Sequence, residues 1–348
     1  MSDKPKNGKL KTESHLLTLY TRTPLHVGAG ASVDVVDLPI QRERATGFPV
    51  IPATSLKGVR LQHARDLWAP GVDDVPTEAR DLFGYADEEI EREFTKPDGT
   101  KEKKKIKVSY AGCLQIMEAK LLAFPVRSLA GCFAWLTCPA ALKRFQRDAG
   151  RKFDIPGVDK DRVVAGAELV VNKQVVLEEY AMDLQSNSNG QAATLAGQLI
   201  DLCADPLWTR PIDAKGQPLK TSGVFNRLAI VHDENFQHFV TTCTEVVQRI
   251  KISPRTRTVD GSGLFNQENV PCETLFYSVL TLLPSRRPPE VRRSDVAARL
   301  GELLPNTALS LQFGGDETTG HGFCSVQRLP LPLPIGGPEP GKQQEVKP

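Results

Sequence analysis

Thr23-Pro-Leu-His-Val-Gly-Ala-Gly30, Val36-Asp-Leu-Pro-Ile-Gln-Arg-Glu-Arg44, Thr46-Gly-Phe-Pro-Val-Ile51 and Ser55-Leu-Lys-Gly58 follow one another in the chain, and their reading decides the fold. Between Thr23 and Ala53 stand Gly28, Gly30, Gly47 and prolines 24, 39, 49 and 52, so this stretch cannot be one regular element. A connection longer than about 12 to 15 residues inside a compact domain is usually functional. Ahead of it, His15 to Arg22 is rich in Leu, Thr and Tyr and reads as a strand. Behind it, Thr54 or Ser55 can cap a helix that carries Leu56, Val59, His63 and Leu67 on one face. Strand, long functional loop and helix form the first unit.

The chain around this unit has 348 residues and 40% hydrophobic content, enough to bury a core in one large domain or two ordinary ones. Lys+Arg 44 against Asp+Glu 42 leaves +2, so any site for a polyanion must be a local patch. The longest apolar candidate, Leu129 to Leu142, is broken by Thr137 and Pro139 and is too short for a membrane span. Lys4, Lys6, Lys9 and Lys11 lead into no apolar run, so they read as a basic tail and not a signal peptide; a cytoplasmic protein with no membrane partner is expected. Seven scattered cysteines with no C-x-x-C pair are expected to be reduced and mostly buried.

Residues 1–13 and the Pro/Gly-rich 329–348 read as tails, which leaves a single domain over 14–328. Residues 86–107 hold acids first and lysines last around Pro97-Asp98-Gly99, a solvated hairpin or disordered insertion. Leu114 to Val126 and Leu129 to Cys138 read as strands, and Pro139 opens a helix to Ala149. Asn172-Lys173 suits a hairpin turn. Asp233 is expected to cap a helix carrying Phe236, Phe239, Val240, Cys243 and Val247. Asp260-Gly261 is expected to make the tight turn of a hairpin within 251–273, whose arms carry Arg255, Arg257 and Phe265. A strand at Thr274 to Leu283, a helix capped by Ser294 and a last strand through Leu309, Leu311 and Phe313 complete the chain. The order predicts an α+β fold of mostly antiparallel strands with helices on one face and long insertions.

Three places can carry chemistry. Gly314-Gly-Asp-Glu-Thr-Thr-Gly-His-Gly322 follows an expected strand, but His321-Gly322 stands where a Walker loop has Lys-Ser/Thr, which excludes that nucleotide site. A tight turn and a phosphate-backbone contact through Gly314, Gly315, Thr318, Thr319 and Gly320 both fit this loop. Lys57 stands near the positive end of the first helix, with Ser55 beside it and Arg42 and Arg44 on the loop before it, a grouping that suits phosphate. Arg286, Arg287, Arg292 and Arg293 read as a further basic cluster or a solvated face. On the long loop, Asp37 can hold a divalent ion or take a proton from a ribose hydroxyl, and His26 can orient a phosphate or move a proton. An ordinary turn residue ahead of Leu-Pro explains Asp37 equally well, and spacing alone leaves the choice open.

The four strings between residues 23 and 58 resemble the backbone RAMP subunit of type III-B CRISPR (Cmr) effectors, the fourth protein of that module. So do Phe124-Pro-Val-Arg-Ser-Leu129, Phe133-Ala-Trp-Leu-Thr-Cys-Pro139, Thr244-Glu-Val-Val-Gln-Arg-Ile250 and Gly314-Gly-Asp-Glu-Thr-Thr-Gly320. The resemblance implies a ferredoxin-like (RRM-like) palm that polymerises along guide crRNA with other copies of itself and other Cmr subunits. It implies a β-hairpin thumb laid across the duplex of guide and single-stranded target RNA, and metal-dependent cutting of that target. The family's loop acid falls on Asp37, holding Mg or Mn, its loop histidine on His26 and its guide-contacting lysine on Lys57. Arg42, Arg44, Ser55, Arg255, Arg257 and the glycine loop are the accompanying RNA contacts expected here. One departure is visible: the return arm reads Gln267-Glu268-Asn269-Val270-Pro271 and lacks the family's tyrosine, so Glu268 as a helper catalytic acid is an open assignment. Two rivals stand beside this reading, a non-catalytic crRNA scaffold of the same fold and a metabolic enzyme that holds a phosphorylated ligand in the glycine loop.

Overall fold

The first strand, Glu13–Thr21, carries apolar side chains at both parities, and such a strand has to be covered on both faces. In the computed structural model, which describes residues 12–31, 36–209, 223–289, 291 and 295–331, both faces are indeed covered. Leu16 and Tyr20 enter one buried cluster with Trp135, Phe145, Leu195 and Tyr277. Leu17 and Leu19 enter another with Leu56, Phe236, Phe239, Leu300 and Phe313. Helices Pro139–Ala149 and Ser188–Leu199 therefore pack on one side, and Ala53–Trp68, Asp233–Thr242 and Val296–Leu303 on the other. This corrects the expectation of helices on a single face.

The main sheet is mostly antiparallel and has twelve strands. Its order is Leu309–Gln312, Phe323–Pro330, Glu13–Thr21, Leu275–Leu282, Ala119–Arg127, Phe133–Thr137, Leu228–Val231, Arg162–Ala165, Tyr180–Leu184 and Gln174–Leu177. Val50–Ile51 and Leu114–Ile116 add short pairings to Ala119–Arg127 and Leu275–Leu282. Parallel pairing occurs where Phe133–Thr137 meets Leu228–Val231 and where Arg162–Ala165 meets Tyr180–Leu184. Two further sheets are lone hairpins, Gly84–Thr95 with Lys101–Ala111 and Glu245–Ile252 with Val259–Asn269.

Local chemistry explains what was legible. Pro139 opens its helix and Gly150 closes it at φ 63°. Asn172 and Lys173, at φ 50° and 67°, make the two-residue turn between Val171 and Gln174. The charged stretch is a hairpin, with Glu89, Glu91 and Glu93 opposite Lys107, Lys105 and Lys103.

Other expectations are corrected. Pro52 stands at the start of the first helix with no side-chain cap, so neither Thr54 nor Ser55 caps it, and Leu67 is exposed. His232, not Asp233, caps its helix; the Asp233 carboxylate instead accepts the N–H of Ala140 at 2.9 Å, across the interface with Pro139–Ala149. Val247 is exposed on a strand beyond that helix. The second hairpin turns at Ser253–Thr258, and Asp260-Gly261 lies within its return strand, where the register between Ile250 and Ile252 is irregular. Arg255 and Arg257 therefore sit at the hairpin tip, not on its arms. Asp295 caps Val296–Leu303; Ser294, Arg292 and Arg293 lie outside the described residues. The last strand is Phe323–Pro330, which takes Leu329 and Pro330 out of the expected tail. Among the described residues no helix is long and apolar enough to cross a membrane. All seven cysteines are free, and Cys113, Cys138, Cys203 and Cys324 are buried.

Arg287 is neither solvated nor part of a basic patch. It is 2% exposed and bridges Asp81 (3.1 Å) and Glu88 (2.6 Å), and Arg80 also reaches Glu88 at 3.1 Å. This network roots the charged hairpin. Burial pushes the Glu88 carboxyl up, but hydrogen bonds from Arg287, Tyr110 and Arg80 outweigh it and hold it below the usual range. Its contribution is present above the unfolded pKa of about 4.3 and is lost as pH falls through the lower folded value. Arg287→Ala strands two buried carboxylates and should cost about 3 to 5 kcal/mol at pH 7, read from the urea midpoint. The deficit should shrink as pH falls below about 4.3, where Glu88 takes up its proton.

Candidate active site and nucleic-acid interface

The long loop lies along the return strand of the second hairpin. Leu38 donates its N–H to the carbonyl of Asn266 and accepts the N–H of Glu268, both at 3.0 Å. Between these bonds the exposed Asp37 turns back, and its Oδ2 accepts the N–H of Asn266 at 2.8 Å. Leu25 and Val270 exchange both backbone bonds at 2.9 Å, which fixes the limb that carries His26.

Glu268, 6% exposed, joins the pieces. Its Oε1 accepts from Arg42 Nη2 (2.5 Å) and Thr244 Oγ1 (2.8 Å), and its Oε2 accepts from the Ile40 N–H (3.0 Å). Its carbonyl oxygen lies 2.6 Å from His26 Nδ1. A carbonyl only accepts, so Nδ1 carries a proton and, in the neutral ring, Nε2 does not. Arg42 also donates to the carbonyls of Gly47 (2.7 Å) and Val240 (2.9 Å). Arg42 is thereby engaged within the fold. Both oxygens of Glu268 thus accept hydrogen bonds from within the fold.

The glycine loop closes the third side. Gly315 and Gly322 donate their N–H groups to the carbonyls of His26 (2.9 Å) and Pro24 (2.8 Å). A Cβ on Gly314 would fall 2.0 Å from the His26 carbonyl oxygen, so only glycine allows this approach. The tight-turn reading is therefore correct in itself, while Gly314, Gly315, Thr318, Thr319 and Gly320 stay exposed on the outer side.

Ser55 and Lys57 lie apart from these residues, near the N-terminal end of Ala53–Trp68, whose first turn contains no carboxylate. Lys57 makes no ion pair among the described residues. One turn on, the fully buried Arg60 guanidinium lies 5.6 Å from the Phe313 ring centroid, which fixes this helix against the strand end that leads into the glycine loop. Arg44 is exposed at the loop's far bend, and Arg255 and Arg257 are exposed at the hairpin tip. The structure thus unites Asp37, His26, Glu268 and the glycine loop, but not Lys57, Ser55 or the tip arginines. Thr244, Asn266 and Gln267 were missed: Thr244 donates to Glu268 across the hairpin root, and Asn266 and Gln267 meet the first loop and the glycine loop, over separations that leave no local sequence signal.

Among the described residues no three His, Cys, Asp or Glu side chains gather as a metal cage. A lone exposed carboxylate still fits Mg, which binds through one or two carboxylates plus substrate phosphates and keeps several waters.

The model of the RAMP superfamily matches residues 18–325. The CRISPR system Cmr endoribonuclease Cmr4 of Pyrococcus furiosus is 34% identical over 320 residues, covering 90% of this chain and 95% of that protein. The crystal structure of oligomeric Cmr4 from Pyrococcus furiosus superposes with a TM-score of 0.61 at 28% identity, covering 92% of this chain and 99% of that one. A chain of the type III-B Cmr-beta complex bound to cognate target RNA shares the fold with a TM-score of 0.60 at 19% identity, covering 90% and 96%. With the acid loop, hairpin root and glycine loop meeting as described, the chain belongs to the RAMP superfamily and, within it, to the Cmr4 family.

Proposed function

We propose that the chain is a multi-copy backbone subunit of a type III-B CRISPR ribonucleoprotein, which binds guide crRNA and cuts complementary target RNA once per subunit. The observation that carries this reading is the stapling of the acid loop to the root of a projecting hairpin, through Asp37 Oδ2 and the N–H of Asn266. An element that deforms a duplex and a carboxylate that acts on it then move as one body. The related Cmr4 is an endoribonuclease and oligomerises, which supports cutting by an assembled filament with other Cmr subunits in the cytoplasm.

In this reading the hairpin is the thumb. Val246, Ile250, Ile252, Val259 and Leu264 are exposed apolar groups along it, suited to wedging against bases, and Arg255 and Arg257 brace phosphates at its tip. Lys57, Ser55, Arg44 and the glycine loop hold guide phosphates, while base pairing reads the sequence. At an unstacked target step the ribose 2′-oxygen gives up its proton beside Asp37 and bonds to phosphorus in line. The bond to the 5′-oxygen breaks and that oxygen takes a proton from water, leaving a 2′,3′-cyclic phosphate and a 5′-hydroxyl. His26 Nε2, unprotonated in the neutral ring, is free to accept a proton during this transfer. A divalent ion, Mg or Mn, held by Asp37 would supply charge neutralisation and acidify the attacking hydroxyl.

Asp37→Ala is expected to abolish target cutting in the assembled complex with guide binding intact; an unchanged rate would leave the non-catalytic scaffold. Chelation should stop cutting by the wild type and added Mn should restore it, with end-labelled target as the readout. Lys57→Ala should weaken guide binding and lower the slope of log affinity against log salt by about 0.7, one phosphate's share for a single strand. Cutting the hairpin back to the Arg249–Phe265 pair keeps Asn266 and Gln267 in place. It should leave guide binding but lose the regular spacing of products; an unaltered ladder would place the thumb elsewhere.

A further inference from the structure

Asp316 sits in the middle of the glycine loop, in the left-handed region at φ 63°. Its Oδ2 accepts from Gln267 Nε2 at 2.6 Å and from Arg249 Nη2 at 3.0 Å. Arg249 belongs to the outgoing strand of the second hairpin and Gln267 to its return strand, so one carboxylate oxygen spans both strands at the root. His321, from the same loop, lies with its Nε2 3.5 Å from the same Arg249 nitrogen. Gln267 is 2% exposed and also donates to Asn269 Oδ1 at 3.1 Å, which fixes its amide. The residue next to it, Asn266, is the one whose N–H holds Asp37.

We propose that Asp316 is a positioning residue for target cutting: it fixes the hairpin root against the glycine loop and so sets where the Asp37 carboxylate stands relative to a strand held by that loop. The inference rests on the functional reading above and deepens it. Two features distinguish this role from a contribution to the fold. The Asp316–Arg249 pair is only partly buried, with side chains 29% and 22% exposed, and pairs of this kind contribute about 0 to 1 kcal/mol to global stability. The hairpin, in contrast, is a two-stranded sheet that among the described residues meets other backbone at its root, through the Leu38–Gln267 bridge and, one residue past the return strand, the Leu25–Val270 bridge, so a few contacts there decide its direction. A shift of about 1 Å at a reacting group can cost about a hundredfold in rate.

The test uses the assembled complex with its guide. Asp316→Gly removes the carboxylate without backbone cost at a left-handed position, and Arg249→Ala removes its main partner; both single variants and the double are compared with wild type. Expected are a 10- to 100-fold lower kcat for target cutting, KM within about twofold, unchanged guide affinity and an unfolding midpoint moved by no more than about 3 °C. The double variant should be no slower than the slower single, because both remove one tie. Amide exchange at Val246–Ile252 should quicken in either single variant, a readout that does not depend on cutting. Losses that multiply in the double, a fall in guide affinity that matches the fall in rate, or unchanged exchange would each overturn the proposal. Failure of the wild-type complex to cut, with exchange changed as expected, would count against the functional reading and not against the tie.

Discussion

The buried carboxylate of Glu268 is the constraint on which the site depends. A carboxylate removed from water is costly unless donors surround it, and here the Arg42 guanidinium, the Thr244 hydroxyl and the Ile40 N–H do so. These donors come from the first loop and from the junction between helix and hairpin, so satisfying one charge brings three distant segments together. The same residue's carbonyl fixes the His26 tautomer. Because Arg42 in turn holds the carbonyl of Val240, the helix ahead of the hairpin is tied into the same unit. The loop that carries Asp37 is thus held in place through Glu268.

The two lone hairpins obey one physical rule. A two-stranded ribbon is marginal in water on its own, so each is held by ionic contacts at its root. For the charged hairpin these are the buried Arg287 with Asp81 and Glu88. For the thumb candidate they are Glu268 with Arg42 and Asp316 with Arg249. The former network is almost wholly buried; in the latter the Glu268 carboxylate is buried and the Asp316–Arg249 pair is partly open. The main sheet, covered by helices on both faces, supplies the rigid base from which both project.

The departure from the family pattern in the return arm has a structural counterpart. Asn269, which stands where the tyrosine is expected, is fully buried, and its Oδ1 accepts from Gln267 Nε2 at 3.1 Å. The Asp37 carboxylate accepts the N–H of Asn266 from the same return strand.

What the sequence determined by itself is the set of features governed by neighbours in the chain. Pro139 at a helix start, the Asn172-Lys173 turn, the alternating charges of the 86–107 hairpin, and a strand, glycine-bearing loop and helix at the start of the domain all follow from local dihedral and charge rules. The glycines at 314 and 322 were legible as a tight loop for the same reason. The resemblance carried by the quoted strings added the superfamily and the acid at 37. Tertiary structure alone decided that Arg42 is held by Glu268 and Arg287 by Asp81 and Glu88, that the hairpin turns at Ser253–Thr258, and that Asp233 caps another helix. The partners of these residues lie up to more than two hundred positions away, as with Asp37 and Asn266. A charged side chain looks the same in sequence whether it faces water or its counter-ion, since burial is set by which segments the sheet order brings together and not by adjacent residues.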